Sequence, residues 1–328
     1  MRDGPAFEVI APGPQSTFQD LGRPGWRGYG IPLAGAMDAP ALRAANILAG
    51  NPDGAAALEI LYQGLKMRAL RKINIAVAGA DLGLTIDSRP CPPWSRLILE
   101  PGQVVYFKRR RRGLWAYLAA AGGFDAPIYL GSASVCTIAR IGRPLVSGQV
   151  LKVNPAGCAE LKPAVYGCPQ AFAGPEKGPV HLRLVAGPQE QAFTPAGLAV
   201  LYDSIFTVRP ESGRMAYRFD GPAVAHRAGA DVISEPVVPG AVQVPRDGKP
   251  IVLAADSQVT GGYCKAGVVI SSDLRRLAQA APGDKVRFER ADLETAAAAS
   301  RGLERELDAL RAQSGINRFG SQSDRAGM

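Results

Sequence analysis

The segment Ala255-Asp256-Ser257-Gln258-Val259-Thr260-Gly261-Gly262-Tyr263-Cys264-Lys265 places a carboxylate, an amide, two hydroxyls, a phenol and an ammonium around two adjacent glycines. Adjacent glycines let backbone N–H groups approach an anion, so Asp256, Gln258, Thr260 and Lys265 surround a potential ligand-holding turn. The GxxxxGK[ST] spacing is missing and no helix is expected to follow, so this is not a phosphate-binding P-loop. A hairpin turn with polar tips would account for the same composition. A second glycine-rich passage, Thr17 to Asp38, reads TFQDLGRPGWRGYGIPLAGAMD and has little apolar period. Gly22, Gly25, Gly28 and Gly30 allow positive φ, Pro24 and Pro32 stiffen the chain, and Asp20 and Arg23 stand close enough to be presented together. Loops so constrained more often frame sites than merely join strands.

Between them lies Pro210-Glu211-Ser212-Gly213-Arg214-Met215-Ala216-Tyr217-Arg218-Phe219. Arg214 and Arg218 flank an aromatic, and each guanidinium could hold a carboxylate or phosphate bidentately. Surface ion pairing explains them equally well. Gln243 points from the strand AVQVP toward the same region or away from it; period-2 alternation does not decide between the faces.

Proton-transfer and metal chemistry have little to draw on. There are two histidines, His181 and His226, in no recognisable motif, and the preferred reading is that both are ordinary hydrogen-bonded residues. The five cysteines, Cys91, Cys136, Cys158, Cys168 and Cys264, are widely separated and never form CxxC. Reduced thiols are therefore expected, with neither a disulfide framework nor a metal site. Lys108 to Arg112, KRRRR, is the strongest compositional hint of nucleic acid. It lies between the strands QVVYF and LWAYLA, with Gly113 at the turn, and the preferred reading is a solvated hairpin tip without nucleic-acid function.

The elements that position these groups are short. Thirty-eight glycines and 27 prolines punctuate 328 residues, leaving apolar runs such as ALEIL, INIAVA, RLIL, QVVYF and LWAYLA that predict closely spaced strands. PGQVV at 101, SGQVL at 147 and PGDKV at 282 share a turn-then-strand form, which suits a barrel or sandwich built from hairpins. A helix is predicted from about Ala39 to Ala49, with Asp38 as N-cap, Pro40 in the first turn and Gly50 as stop. Asn46 on its apolar face is read as satisfied by backbone groups, in preference to a substrate contact.

The length favours two units, and 47% hydrophobic composition can fill their cores. The expected organisation is an N-terminal β-rich lobe over 1–165, a Gly/Pro-rich linker over 166–179, a C-terminal barrel lobe over 180–290, a helix over 291–313 and an unstructured tail over 314–328. The net charge of +9 favours anionic partners without naming one. MRDGPAFEVI lacks the features of a signal peptide, and no apolar run approaches the roughly 18 residues of a membrane span. A soluble, cytoplasmic protein is expected.

Together the motifs resemble a known family. TFQDLGRPGWRGYGIPLAGAMD, ALRAANILAGNPDGAAALEI, GRMAYRFDGP, SEPVVPGAVQVPRDGKPIVLAADSQVTGGY and DLRRLAQAAPGDKVRF are similar, in collinear order over about residues 7 to 290, to the biotin-dependent carboxyltransferase family, also called the allophanate hydrolase subunit 2 family. It includes the C subunit of the prokaryotic 5-oxoprolinase. The resemblance implies a mainly β protein of two β-rich lobes with cyclophilin-like barrel architecture, a few short helices and a C-terminal one. It also implies a partner of the allophanate hydrolase subunit 1 type and a third oxoprolinase component, with 5-oxoproline opened to glutamate. ATP with Mg²⁺ would act at the level of that complex. In related urea carboxylase modules, carboxybiotin carried on another polypeptide would donate a carboxyl group to urea. A non-catalytic regulatory binding protein is the third reading.

Both reactions hold and polarise an amide carbonyl beside an anion. Carried over by motif position, Asp20, Arg23, Asp38, Arg214, Arg218, Gln243, Gln258, Thr260, Gly261 and Gly262 become substrate-binding candidates, and Asp256, Tyr263 and Lys265 catalytic ones. On this reading Arg23 and Arg214 clamp the anion, Gln243 and Gln258 orient the amide, and Asp256 or Tyr263 moves protons. The chain departs from the family at Gly131-Ser132-Ala133-Ser134-Val135, where relatives tend to read GSRST, and DSQVTGGYC replaces DSQTTGGYP.

Overall fold

The computed structural model describes residues 4–155, 161–169, 172 and 178–315. Half of the predicted 166–179 linker, and all of the predicted tail beyond residue 315, fall outside the described residues.

The first lobe contains β1 (Gly4–Pro12), β2 (Gln15–Gln19), α1 (Ala39–Ala49), β3 (Ala57–Leu61), β4 (Leu65–Ala69), β5 (Ile73–Asp81), β6 (Leu84–Ile86), β7 (Arg89–Pro90), β8 (Ser95–Leu99), β9 (Val104–Phe107), β10 (Arg112–Ala120), β11 (Val150–Val153) and β12 (Ala164–Val165). They form two six-stranded sheets, ordered β11-β1-β4-β9-β6-β7 and β12-β8-β5-β10-β3-β2. Phe7, Leu58, Ile60, Met67, Ile75, Phe107 and Leu118 fill the space between them.

The second sheet is apolar on both faces. Along β10, Ala116, Leu118 and Ala120 turn into the intersheet core, whereas Trp115, Tyr117 and Ala119 join a second core shared with α1 and the other lobe. That is period-2 alternation with both faces covered, so the strand reads as a continuous apolar run. In β3 the same alternation sends Leu58 and Ile60 inward and leaves Glu59 on the opposite face, fully buried.

The second lobe contains β13 (Val180–Ala186), α2 (Pro195–Asp203), β14 (Ile205–Val208), β15 (Ala216–Asp220), β16 (Asp231–Pro236), β17 (Ala241–Gln243), β18 (Ile251–Leu253), β19 (Thr260–Tyr263), β20 (Lys265–Val269), α3 (Ser271–Ala278) and β21 (Lys285–Arg290). Seven strands close into a barrel, β13-β20-β17-β18-β15-β14-β21, and β16 pairs with β19 as a separate ribbon. Phe206, Phe219 and Phe288 meet inside the barrel with ring centroids 5.6 Å apart. α4 (Leu293–Gln313) then returns to α1, burying Leu307 and Leu310, while Asp53 bridges Arg43 at 2.9 Å and Arg311 at 2.6 Å. The architecture is mainly β with a closed barrel and a C-terminal helix, as the sequence predicts.

The three turn-then-strand motifs have one physical basis. Gly102, Gly148 and Gly283 all adopt φ between 79° and 90° at the third position of a turn. The fourth residue closes it from both sides: its N–H bonds the first carbonyl, and its side-chain oxygen accepts the first N–H. The latter contacts are Gln103 with Glu100 at 2.9 Å, Gln149 with Val146 at 3.1 Å and Asp284 with Ala281 at 2.8 Å. A positive φ at that position calls for glycine, and a short amide or acid beyond it caps the turn.

α1 has the predicted bounds. The Asp38 carboxylate accepts the Ala41 N–H at 3.0 Å, and Gly50 ends the helix with φ 77°. Asn46 is buried and donates to the carbonyls of Asp53 and Ala55, as its structural reading expects. The arginine run differs from expectation. β9 and β10 belong to different sheets, so residues 108–111 form a crossover and not a hairpin tip. Among the described residues, no helix is long and apolar enough to cross a membrane.

Candidate functional site

Where the lobes meet, one guanidinium holds three segments. Arg214 donates from Nη1 to Glu59 at 2.5 Å, from Nε and Nη2 to the two oxygens of Asp256 at 2.8 and 2.7 Å, and from Nη2 to the Gly35 carbonyl at 2.8 Å. Glu59 lies on β3, Gly35 in the long glycine-rich loop, and Asp256 just after β18. All three charged side chains are buried. Glu59 also accepts the Met37 N–H and the Tyr117 hydroxyl, each at 2.7 Å, and the Tyr117 oxygen receives the Asp38 N–H at 2.7 Å. Asp38 continues the chain to Gln279 Nε2 at 2.8 Å.

The electrostatics follow from one cation facing two carboxylates. Burial would lower the Arg214 pKa, but the charges of Glu59 and Asp256 outweigh it and hold the guanidinium above its ordinary value. Burial raises Glu59, with Arg214 offsetting only part of the effect, and burial likewise raises Asp38. Burial, then the Glu59 charge, pushes the Tyr117 phenol well up, so its hydroxyl acts as a donor to Glu59.

This geometry corrects several roles. Arg214 spends its fork on Glu59, Asp256 and Gly35, so it is not an open clamp for a substrate anion; it staples the lobes. Both Asp256 oxygens are occupied by that guanidinium and do not offer a free base. Arg218 lies on β15 between the inward-facing Tyr217 and Phe219 and is exposed, so it does not join Arg214. Lys265 is buried and its Nζ is ion-paired with Glu235, whose pKa that contact lowers. Asp38 is buried as the N-cap of α1 and partner of Gln279.

Asp20 organises the glycine-rich loop. Its carboxylate accepts from the Gly22 N–H at 2.8 Å, the Ser132 hydroxyl at 2.6 Å, the Ala133 N–H at 2.7 Å and the Ser134 hydroxyl at 2.5 Å. The departing GSASV segment thus keeps the two serines that hold this aspartate. Gly22 (φ 88°) sits where a Cβ would stand 2.6 Å from the Leu33 carbonyl oxygen, so the loop closes on itself only with glycine there.

Several buried donors have no partner among the described residues. Arg23 is fully buried; Nη2 reaches the Ser134 carbonyl, and Nε and Nη1 reach nothing among the described residues. Arg27 bonds the Val237 carbonyl and leaves Nη1 unpaired. Gln243 Nε2 and Ser257 Oγ are also buried without partners. Gly261 faces that Gln243 amide: a Cβ there would lie 2.5 Å from Nε2 and 3.2 Å from a Val237 methyl. Gln258 and Thr260 are exposed beside it, Gly262 is half-buried, and Tyr263 is 39% exposed at the end of β19. Buried polar groups are nearly always paired, so each unpaired donor marks a place where a polar acceptor belongs.

Sequence reasoning misses Glu59 and Tyr117. A single acid within ALEIL is the available signal, because a charge in an otherwise buried strand requires a buried partner. His181 pairs with Glu289 at 2.5 Å and His226 with the Val244 carbonyl at 3.0 Å. Four described cysteines are free thiols, and among the described residues no three His, Cys, Asp or Glu side chains gather as a metal site.

Known proteins give this geometry a context. Residues 29–290 match the carboxyltransferase domain family, subdomains A and B. The chain is 34% identical over 299 residues to the 5-oxoprolinase C subunit of Haemophilus influenzae, covering 90% of this chain and 95% of that one. It is 34% identical over 308 residues to the protein of the same name in Escherichia coli, covering 93% and 97%. The crystal structure of Kluyveromyces lactis urea carboxylase superimposes with a TM-score of 0.86 at 25% identity, covering 96% of this chain and 30% of that one. With residues 29–290 matching the family and a likeness to both 5-oxoprolinase C subunits over nearly the whole of each chain, the chain belongs to the carboxyltransferase domain family.

Proposed function

We propose that this chain is the C subunit of a 5-oxoprolinase-type complex, which opens the cyclic amide 5-oxoproline to glutamate with ATP. The observation that carries the reading is the likeness to two proteins named as 5-oxoprolinase C subunits, over nearly the whole of both chains. The complex would include an allophanate hydrolase subunit 1 type partner and a third component, would work in the cytoplasm, and would use ATP with Mg²⁺ on a polypeptide other than this one. The chain's own contribution would come from the buried donors left without partners among the described residues. Arg23 and Gln243 suit a carboxylate and a lactam carbonyl, because fixed donors in a water-poor site stabilise charge developing on oxygen. Gln258, Thr260 and Tyr263 border the entrance from the exposed side, and Gly261 keeps the Gln243 amide uncovered. Arg214, Glu59 and Asp256 hold the two lobes in register around it.

The likeness to urea carboxylase favours a second reading: transfer of a carboxyl group to an amide from carboxybiotin on another polypeptide. Reconstitution separates the two. The purified chain, combined with its partner subunits, is assayed for ATP-dependent consumption of 5-oxoproline and for carboxybiotin-dependent carboxylation of urea. Oxoproline turnover that requires this chain supports the first reading and carboxylation the second. Tight pairing with neither activity leaves a regulatory binding protein.

A further inference from the structure

Away from those donors, a cleft of about 410 Å³ opens between the lobes. The crossover contributes Arg110, Arg111 and Arg112, α3 contributes Arg275 and Arg276, and Trp94 and Phe172 line the apolar side. Asp38, Asp81 and Asp284 also border it, and Arg276 lies 3.7 Å from Asp273. These carboxylates are committed elsewhere or stand too far off to pair closely. Both oxygens of Asp38 are bonded, by the Ala41 N–H and Gln279. Asp284 lies 3.8 Å from Arg110 and Asp81 3.8 Å from Arg111, at the outer limit of an ion pair.

Arg275 is the decisive group. It is 5% exposed and lies over the Phe172 ring at 5.1 Å, yet it makes no hydrogen bond or ion pair with any described residue. Burial lowers its pKa, the Asp38 charge offsetting only part of that cost. A guanidinium at this depth with no hydrogen-bond partner among the described residues is better completed by an anion in the cleft than by the solvent that reaches it.

We propose that this interlobe cleft binds a small organic or inorganic anion carrying at least two negative charges, held bidentately by Arg275 together with Arg276, Arg110 and Arg111. Guanidiniums on two separate walls match an anion with charge at both ends, and phosphate and carboxylate groups both fit a planar fork. The volume is that of a small-molecule site, and the cations converge on a cleft instead of a stripe that could track a nucleic-acid backbone. The inference is independent of the reaction proposed above.

The test is calorimetric titration of the full-length protein with pyrophosphate and with citrate at constant ionic strength. Saturable binding of either is expected, and the arm that saturates identifies a phosphate or a carboxylate site. Arg275→Gln should weaken it by roughly tenfold or more, the size of one charged hydrogen-bond pair. Arg276→Gln changes a more exposed side chain and should also weaken binding, which keeps the test valid if the Arg275 variant fails to fold. Lys72→Gln, at a solvent-facing lysine remote from the cleft in the fold, should leave it unchanged. No saturable binding of either anion overturns the proposal. So does an equal loss in all three variants, or binding confined to heparin or duplex RNA.

Discussion

Replacing Arg214 with methionine removes the one cation that two buried carboxylates share. Four hydrogen bonds disappear, and Glu59 and Asp256, 0% and 1% exposed at their side chains, are left with no cation between them. Breaking a buried pair by removing one partner costs about 3–5 kcal/mol. A limit comes from proton chemistry: a stranded carboxylate can escape its charge by taking a proton. Bringing a group of ordinary pKa about 4.3 to the neutral form at pH 7 costs roughly 3.7 kcal/mol, at 1.36 kcal/mol per unit. One such protonation relieves most of the repulsion, so the expected loss at pH 7 is about 4 kcal/mol. For a chain of 328 residues that corresponds to a fall in Tm of roughly 6 °C. At pH 5 the protonation cost shrinks to about 1 kcal/mol, and most of the penalty should vanish.

The pH dependence distinguishes this account from simple loss of packing. A cavity or a lost contact costs the same at pH 5 and pH 7, whereas a stranded acid does not. Thermal and urea unfolding of Arg214→Met and wild type, followed by circular dichroism at both pH values, gives the two differences directly. The double variant Glu59→Gln, Arg214→Met removes one of the stranded charges and should recover a large part of the pH 7 loss. A penalty under about 1 kcal/mol, or one that is equal at the two pH values, would refute the reading of Arg214 as a charge-balancing staple.

Three further outcomes follow from neighbouring residues. Arg23→Met should leave stability within about 1 kcal/mol of wild type, because it removes a buried charge whose Nε and Nη1 are unpaired, while lowering reconstituted turnover at least tenfold; a large drop in Tm with intact turnover would show that the residue is structural. Gly22→Ala combines a positive φ of 88° with a Cβ 2.6 Å from the Leu33 carbonyl oxygen and should cost more than about 2 kcal/mol, measured by urea unfolding. Lys265 lowers the Glu235 pKa, so that carboxylate contributes stability above its ordinary pKa that is lost as pH falls through the depressed one. Lys265→Gln should flatten this part of the acid limb below about pH 4.5, seen in acid titrations followed by fluorescence.

How much of this was legible in the sequence depends on the range of the interaction. α1 is bounded by residues that act within one turn, Asp38 accepting the Ala41 N–H and Gly50 adopting φ 77°, so its ends could be read directly. The three PG- or SG-type turns close through side chains three positions away and were equally readable. Arg218 could have been placed correctly too: in AYRFD, period-2 alternation puts Tyr217 and Phe219 inside and Arg218 outside. The staple is different in kind. Glu59 and Arg214 are 155 positions apart and meet only because β3 turns one side chain out of the intersheet core toward a barrel built from the other half of the chain. No local pattern encodes that pairing, and an arginine in GRMAYR looks equally suited to a ligand or to a carboxylate within the fold.

That ambiguity bears on what a motif-borne arginine means in this family. Arg214 and Arg23 are both buried, and their surroundings separate them. Arg214 meets two carboxylates and a carbonyl, which fixes the relative position of the lobes and leaves little of the fork for anything else. Arg23 meets one carbonyl, although Asp20 stands three residues away and could have served as its counter-ion. Asp20 instead spends its carboxylate on Ser132, Ala133, Ser134 and Gly22, holding the loop that buries Arg23. A fold that places an acid beside a buried cation and then commits the acid elsewhere keeps that cation's remaining donors free for an outside acceptor. In the glycine-rich loop the aspartate supplies the geometry and the arginine the free donors, and this division of labour is what makes Arg23, rather than Arg214, the residue on which the proposed anion contact rests.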